Sequence, residues 1–142
     1  MQAWIFQGNP KIYDIGRAVR SLREDTWLVQ QHKDDIRKGD RVYLWQSGPD
    51  GGIVAVAEVV DEVRERVLPD QSKPYVLDSI KLGGVQPRVL IRIAKVCEPI
   101  IRRSAIQVNP RLSGLSILRM PQGTNFAVTP AEAAAIEELL AK

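Results

Sequence analysis

Short segments in which apolar and polar residues alternate recur along the chain, and a period of two predicts β-strands. They cover residues 3–7, 25–29, 41–46 and 88–96. A longer apolar run over residues 53–63 is rich in valine, and it predicts a central strand that forms a hairpin with its predecessor. Because strands dominate and no strand–helix–strand repeat appears, the pattern predicts a strongly curved sheet or an open barrel.

Two segments carry helix signals. Asp14 is a predicted N-cap, because apolar residues follow it at the i, i+3, i+4 and i+7 spacing of one helix face. Thr129 is the predicted N-cap of the second helix, because Pro130 takes the first helical position and Glu132 completes a capping box. The two helices are expected to flank the sheet in a mixed α/β (α+β) domain.

The remaining stretches predict loops. Residues 64–87 are charged and contain several prolines and glycines, and residues 99–120 are irregular apart from one short helical turn over 112–118. Neither stretch reads as an interdomain linker and no internal repeat occurs, so residues 1–142 are expected to form a single domain. At 142 residues and 15.9 kDa the chain is long enough to bury a hydrophobic core without disulfides.

Composition narrows the class of protein. Apolar residues make up 44% of the chain and charged residues 26%, as in soluble globular domains. No apolar run reaches the roughly 18–20 residues that cross a bilayer. The only cysteine, Cys97, excludes an internal disulfide. We therefore expect a soluble protein of the reducing cytoplasm that does not associate with membranes.

The net charge of +3 is distributed unevenly. Residues 1–71 hold ten basic and twelve acidic side chains, whereas residues 73–119 hold nine basic and only two acidic ones. An electropositive face of this kind favours a polyanionic partner. A solvated basic surface with no partner fits the same pattern.

The side chains that enzymes use are scarce. His32 is the only histidine and Cys97 the only thiol, whereas a structural zinc ion takes four nitrogen or sulfur ligands. Asp34 and Asp35 are successive and need not converge, so they do not indicate general acid–base catalysis. The glycine-rich segments match neither a P-loop nor a dinucleotide fingerprint. The sequence therefore predicts a binding protein rather than an enzyme, with no metal and no cofactor.

Aromatic residues stand beside polar turn residues at several places. Trp27 and Trp45 lie at the ends of polar stretches, and Phe126 follows a loop rich in hydroxyl and amide groups. An indole ring beside such groups can stack on a planar base and hydrogen-bond its edge. Core packing is the alternative, and spacing alone favours it.

Five segments together resemble the EVE domain family, a branch of the PUA-like superfamily that is related to the YTH readers. They occur in order over nearly the whole chain: WIFQGNP at 4–10, DTW at 25–27, GDRVYLWQSG at 39–48, GIVAVAEV at 52–59 and LSGLSILRMPQGTNFAVT at 112–129. The resemblance implies a PUA-like open β-barrel of five or six mixed strands with flanking helices. It also implies a pocket that accepts a modified base.

Members of this fold sandwich the base between aromatic side chains, and by resemblance Trp27 and Trp45 are expected to form the pocket walls. The other expected pocket residues belong to motifs at the rim: Asn9, Ser47, Gly48, Thr124, Asn125 and Phe126. Arg119, just before the last rim motif, is the expected phosphate ligand, with Lys11 and Arg17 as second choices.

The implied function is to bind a modified base that is single-stranded or flipped out of a duplex, with no bond made or broken. The resemblance favours 5-methylcytosine or 5-hydroxymethylcytosine in DNA, and the YTH relationship retains N6-methyladenine. The sequence does not distinguish DNA from RNA.

Two alternatives use the same cleft. A small-molecule or nucleotide-processing enzyme would need a titrating catalytic group. A protein-interaction module would display its tryptophans as an exposed apolar patch.

Overall fold

Seven strands form one mixed sheet in this protein, and a computed structural model describes all of its residues, 1–142. The strands are β1 Ala3–Gly8, β2 Glu24–Leu28, β3 Arg41–Gln46, β4 Gly52–Val59, β5 Arg64–Arg66, β6 Gln86–Arg102 and β7 Asn125–Val128. The α-helices are α1 Ile15–Ser21, α2 Ser79–Leu82, α3 Arg103–Gln107, α4 Ser116–Arg119 and α5 Pro130–Leu140, and a 3₁₀ helix spans Asp70–Tyr75.

The sheet curls into an open barrel with the strand order β2-β6-β4-β3-β1-β7, and β5 pairs with the start of β6. β1 and β3 are parallel, and every other pair is antiparallel. Gly8 lies opposite Gln46, so β1 and β3 end side by side. The predicted mixed open barrel with flanking helices is confirmed, with seven strands instead of five or six because the short β5 adds one.

The side chain of Asn125 joins the two outer strands of the open barrel, β2 and β7. Its Oδ1 atom accepts the backbone N–H groups of Gln30 (2.8 Å) and Gln31 (3.2 Å), and its Nδ2 atom donates to the carbonyl oxygen of Leu28 (3.1 Å). In return, Oε1 of Gln31 accepts the N–H groups of Thr124 and Asn125. We call this set of hydrogen bonds the seam.

Two hydrophobic clusters lie on the two faces of the sheet. The inner cluster has 17 residues, including Trp4 and Trp27, and helix α1 packs against it. The outer cluster has 15 residues, and helices α3 to α5 cover it. Side chains of β3 alternate between the clusters, because Leu44 points inward whereas Tyr43 and Trp45 point outward.

Elements with strong local signals lie where the sequence predicts them. These are β1, β2, β3, α1 and α5. Oδ1 of Asp14 accepts the N–H of Arg17 at 3.4 Å at the start of α1. Thr129 and Glu132 form the predicted capping box at the start of α5. Caps satisfy backbone groups that the first helical turn leaves unpaired, which is why they mark these helix starts.

The extents of two strands differ from the prediction. β4 ends at Val59 and not at residue 63. β6 continues to Arg102 and not only to residue 96, although it contains Pro99, which has no N–H to donate to a neighbouring strand. The register between β4 and β6 shifts at this point, which leaves residues 97–100 outside the regular pairing and accommodates the proline.

Two predicted loops also contain secondary structure. Residues 64–87 include β5, the 3₁₀ helix and α2. Asp78 is the N-cap of α2, and its side chain accepts hydrogen bonds from the N–H groups of Ile80 and Lys81. Strand β7 begins at Asn125, where a loop was predicted. Both segments are stabilised by contacts with distant parts of the chain, which a local pattern does not reveal.

Candidate functional site

A cleft of about 510 Å³ opens at one end of the barrel. Residues at the C-terminal ends of β1 and β2 line it, together with Ser47 just after β3 and the turn over residues 9–13. The loop over residues 121–124 and residues from the segment 68–88 complete the lining. Its volume lies within the range of about 300–1,000 Å³ that small-molecule sites occupy.

Trp27 forms an aromatic wall of the cleft and is 7% exposed. Gly8 lies against its ring: a Cβ atom at Gly8 would stand 2.8 Å from Cζ2 of Trp27 and 2.7 Å from Cδ1 of Ile15. The absence of a side chain at Gly8 therefore lets the indole approach the end of β1. The ring of Tyr13 meets the indole edge-on, with the ring centroids 6.5 Å apart.

A buried carboxylate fixes the residues around Trp27. Asp25 accepts hydrogen bonds from the hydroxyl of Tyr13 (2.7 Å), the hydroxyl of Ser72 (2.6 Å) and the N–H of Thr26 (2.7 Å). Burial raises the pKa of Asp25 against the opposing effect of these bonds and of the Arg88 charge. Burial also raises the pKa of Tyr13, and the neighbouring carboxylate adds to that increase, so Tyr13 stays a neutral donor.

Arg88 is 1% exposed and lines the cleft. Its Nε atom donates to the carbonyl oxygen of Arg66 (3.1 Å), and its Nη2 atom donates to that of Leu82. These two carbonyls are the ends of residues 66–82, which we call the strap. Arg88 therefore holds both ends of the strap, while the Ser72–Asp25 bond holds its middle. Burial lowers the pKa of Arg88 and the charge of Asp25 counteracts this effect.

The loop over residues 121–124 is held from β1. Nε2 of Gln7 donates to the carbonyl oxygens of Pro121 (2.9 Å) and Gly123 (2.8 Å). The hydroxyl of Thr124 donates to Oε1 of Gln30 at 3.0 Å. One side of the cleft is therefore a row of amide and hydroxyl groups, and the residues that form it all line the cleft: Gln7, Gln30, Pro121, Gly123 and Thr124.

Four of the eight predicted base-pocket residues lie together in the cleft: Asn9, Trp27, Ser47 and Thr124. Oδ1 of Asn9 accepts the backbone N–H of Lys11 at 2.9 Å, which fixes the turn after β1. The N–H of Ser47 donates to the carbonyl oxygen of Gly8 at 2.9 Å and brings the end of β3 to the same place.

The structure places the other four away from the cleft lining. Trp45 is 3% exposed and belongs to the outer cluster, because it alternates with Leu44 along β3. Because Trp27 lies in the inner cluster and Trp45 in the outer one, the predicted sandwich of two tryptophans does not form. Phe126 packs in the outer cluster as well. Gly48 occupies a turn with φ of +108°, and Asn125 is buried in the seam.

The predicted phosphate ligands lie outside the cleft lining. Arg119 is exposed at the end of α4, two residues before Pro121. Lys11 is exposed on the turn after β1. Arg17 lies on α1, paired with Asp14 at 3.5 Å and placed over the ring of Tyr75.

The basic stretch over residues 73–119 is partly neutralised. Four of its nine cations pair with carboxylates: Lys73, Arg92, Arg102 and Arg111. Lys81 and Arg88 have no carboxylate oxygen within 4.0 Å, and both line the cleft. Two of the five unpaired cations of this stretch therefore lie at the cleft, and the other three, Lys95, Arg103 and Arg119, lie outside its lining.

Sequence reasoning missed Tyr13, Gln7, Lys81 and Arg88. The one available signal was Arg88, a charged residue at the start of a strand whose next residues, 89–91, are apolar. Arg88 donates its hydrogen bonds to backbone carbonyl groups, and a pattern of side chains in the sequence does not predict such bonds.

The EVE domain family model matches residues 2–139. The chain belongs to the EVE domain family. The fold of this EVE domain is similar to that of a hypothetical protein from Leishmania major, with 13% identity, a TM-score of 0.72 and coverage of 98% of this chain and 94% of that one. A protein from Rhodopseudomonas palustris is 18% identical, with a TM-score of 0.70 and coverage of 98% and 92%.

Human THYN1, solved in complex with DNA that contains 5-methylcytosine, is 11% identical to this EVE domain, with a TM-score of 0.71 and coverage of 100% and 99%. No curated protein sequence matches the chain. At these identities the structural similarities show the fold alone. No helix of this EVE domain combines the length and apolar character needed to span a membrane.

Proposed function

We propose that this EVE domain binds nucleic acid and holds one unpaired base in the cleft. The observation that carries this proposal is the combination of an indole wall, a row of amide and hydroxyl groups and unpaired cations around one 510 Å³ cleft. Stacking on an aromatic ring contributes about 1–3 kcal/mol per base. The polar row can bind the edge of the base, and the cations attract the phosphate backbone.

The base is proposed to carry a modification: 5-methylcytosine, 5-hydroxymethylcytosine or N6-methyladenine. Support comes from the similarity to human THYN1, whose structure contains 5-methylcytosine DNA. A buried methyl group contributes about 0.8 kcal/mol, which corresponds to about a fourfold preference. We therefore expect modest selectivity for the methyl group itself, with DNA and RNA both accepted unless the 2′-hydroxyl meets a specific contact.

Binding without catalysis fits the groups that face the cleft. His32 packs against Trp4, with ring centroids 5.0 Å apart, and Cys97 lies in the outer cluster, so neither reaches the cleft. The ionisable side chains lining it are those of Tyr13, Lys81 and Arg88. The protein-interaction alternative loses support because all three tryptophans are buried.

The test is a titration with fluorescent single- and double-stranded oligonucleotides, each with one modified or unmodified base. Trp27→Leu and Trp45→Leu form a matched pair, since both indoles are buried but only Trp27 lines the cleft. Circular dichroism first establishes that each variant folds. We expect Trp27→Leu to weaken binding at least tenfold and Trp45→Leu to retain it. Equal affinity in both variants would refute a base site at Trp27.

The phosphate contact is tested by salt dependence. Each phosphate contact contributes about 0.9 to the slope of log K against log salt concentration for duplex DNA. Arg119→Ala is expected to reduce that slope by about one unit. Arg111→Ala is the control, because Arg111 is already paired with Glu138 and is not a predicted phosphate ligand. An unchanged slope in Arg119→Ala would remove Arg119 from the phosphate contacts.

A further inference from the structure

We propose that the cleft takes its base from a duplex, and that Ile80 at the cleft mouth enters the base stack at the position that the bound base has left. This inference rests on the proposed function and deepens it, because it names duplex nucleic acid as the ligand. Three features carry it: the exposure of Ile80 beside the cleft lining, the support of the turn that holds it, and the charge next to it.

The first feature is an exposed apolar side chain in a particular place. Ile80 is 92% exposed, the highest value of any large apolar side chain except that of Met1. Such a residue is ordinary on a surface, and its position is what makes it informative. Ile80 lies in α2, and the two residues that follow it, Lys81 and Leu82, both line the cleft. Since consecutive Cα atoms are about 3.8 Å apart, Ile80 stands at the mouth of the cleft.

The second feature is the support of the turn that carries Ile80. Oδ1 of Asp78 accepts the N–H groups of Ile80 and Lys81, both at 3.1 Å. Nε2 of Gln86 donates to the carbonyl oxygen of Lys81 at 3.1 Å, and Arg88 donates to the next carbonyl along the chain. Isoleucine also has one strongly preferred rotamer in a helix. A side chain that displaces stacked bases needs a stiff support of this kind.

The third feature is the positive charge beside Ile80. Lys81 is exposed and has no carboxylate oxygen within 4.0 Å. Extruding a base from a duplex removes its stacking on both sides, and an apolar side chain inserted there restores part of the lost contact. The phosphates that border such a gap attract a neighbouring cation. An apolar side chain followed by an unpaired lysine therefore fits the gap better than it fits a single strand.

A second exposed apolar residue lies on another part of the rim and provides a contrast. Met120 is 63% exposed, follows the unpaired Arg119 and precedes Pro121, which lines the cleft. Arg119 itself does not line the cleft, and a methionine side chain is flexible. Ile80 is more exposed and stiffer, and the cation next to it lines the cleft, so we assign the insertion to Ile80.

The experiment compares binding to a duplex with binding to a single strand. Wild type and Ile80→Ser are titrated with the fluorescent oligonucleotides of the titration above, each presented in both forms. Complete burial of an isoleucine side chain corresponds to roughly 10- to 150-fold in affinity, so Ile80→Ser should weaken duplex binding about tenfold. Single-strand binding should not change, because a single strand has no gap to fill. Ile80→Leu keeps the apolar volume and should retain the duplex affinity.

Met120→Ser and Val108→Ser are the matched controls. Each removes another exposed apolar side chain, and Val108 lies outside the cleft lining. Both variants should keep the wild-type ratio of duplex to single-strand affinity. Thermal unfolding should give the wild-type Tm for all three serine variants, because exposed side chains contribute little to stability.

Several outcomes would overturn the insertion of Ile80 while leaving base binding intact. They are a wild-type affinity ratio in Ile80→Ser, an equal loss of duplex binding in Val108→Ser, and a wild-type protein that binds single strands only. A change of self-association in Ile80→Ser, with duplex affinity unchanged, would assign Ile80 to a protein contact and overturn the proposal as well. A wild-type protein that binds no oligonucleotide in either form would overturn the proposed function itself.

Discussion

The contact between Gly8 and Trp27 offers a direct test of how the cleft wall is positioned. In Gly8→Ala the new Cβ atom would lie 2.7 Å from Cδ1 of Ile15 and 2.8 Å from Cζ2 of Trp27. Both distances are far inside van der Waals contact, where carbon atoms attract at about 3.5–4.0 Å. Ile15 and Trp27 are both buried in the inner cluster, so neither can move away freely.

Inserting one methyl group into a well-packed site of this kind costs about 1–3 kcal/mol. For a chain of this length that corresponds to a decrease in Tm of roughly 3–10 °C. Displacement of the indole toward the cleft should also change tryptophan emission and weaken oligonucleotide binding. Thermal unfolding, emission spectra and a binding titration on the same sample measure the three effects.

Gly16→Ala is the matched control. Gly16 lies in α1, and the atom nearest to its added Cβ would be Nη1 of Arg20 at 3.6 Å, the mobile end of a long side chain. Alanine is favoured over glycine inside a helix by about 0.5–1 kcal/mol, so this variant should be no less stable than wild type. If Gly8→Ala matched Gly16→Ala in Tm, emission and binding, the close packing of Gly8 on Trp27 would be refuted.

Three further predictions concern parts of the fold outside the cleft wall. Asn125→Ala leaves two backbone N–H groups and one carbonyl of the seam without partners, so it should lower the free energy of unfolding by about 2–4 kcal/mol. A loss under about 1 kcal/mol in urea denaturation would contradict this role. Tyr43→Phe removes the 2.6 Å hydrogen bond from the hydroxyl to Glu137 and should cost about 1 kcal/mol, measured by thermal unfolding against wild type. Cys97 is 5% exposed and burial raises its pKa, so a thiol reagent at pH 8 should label it only after denaturant is added. Immediate labelling of the native protein would disprove the burial of Cys97.

The sequence predicts those parts of the fold that depend on neighbours along the chain. Alternation identified β1 and β3, and the cap residues Asp14 and Thr129 marked the starts of α1 and α5. Residues 64–87 were misread as a loop, because charge and proline dominate their composition. What orders them is long-range: the buried bond from Ser72 to Asp25 and the bonds from Arg88 to both ends of the strap.

The candidate site was half predictable for a similar reason. The alternation over residues 41–46 implies that Leu44 and Trp45 lie on opposite faces of β3, but it does not indicate which face leads to the cleft. That depends on how the barrel curls, and the seam that joins its outer strands connects residues more than ninety positions apart. Trp27 was predictable because the resemblance identified its motif, whereas Arg88 was not because its partners are backbone groups.

Five stretches of the chain between Gln7 and Thr124 line the cleft. Nearly the entire chain must therefore be folded before a ligand can make all of its contacts. Occupancy is consequently linked to cooperative unfolding of the whole domain, not to the closing of one loop. A ligand at one hundred times its Kd should stabilise the native state by about 2.7 kcal/mol. Melting temperature can therefore serve as an unbiased screen across nucleosides, oligonucleotides and metabolites, and truncation at either end should abolish the response together with the fold.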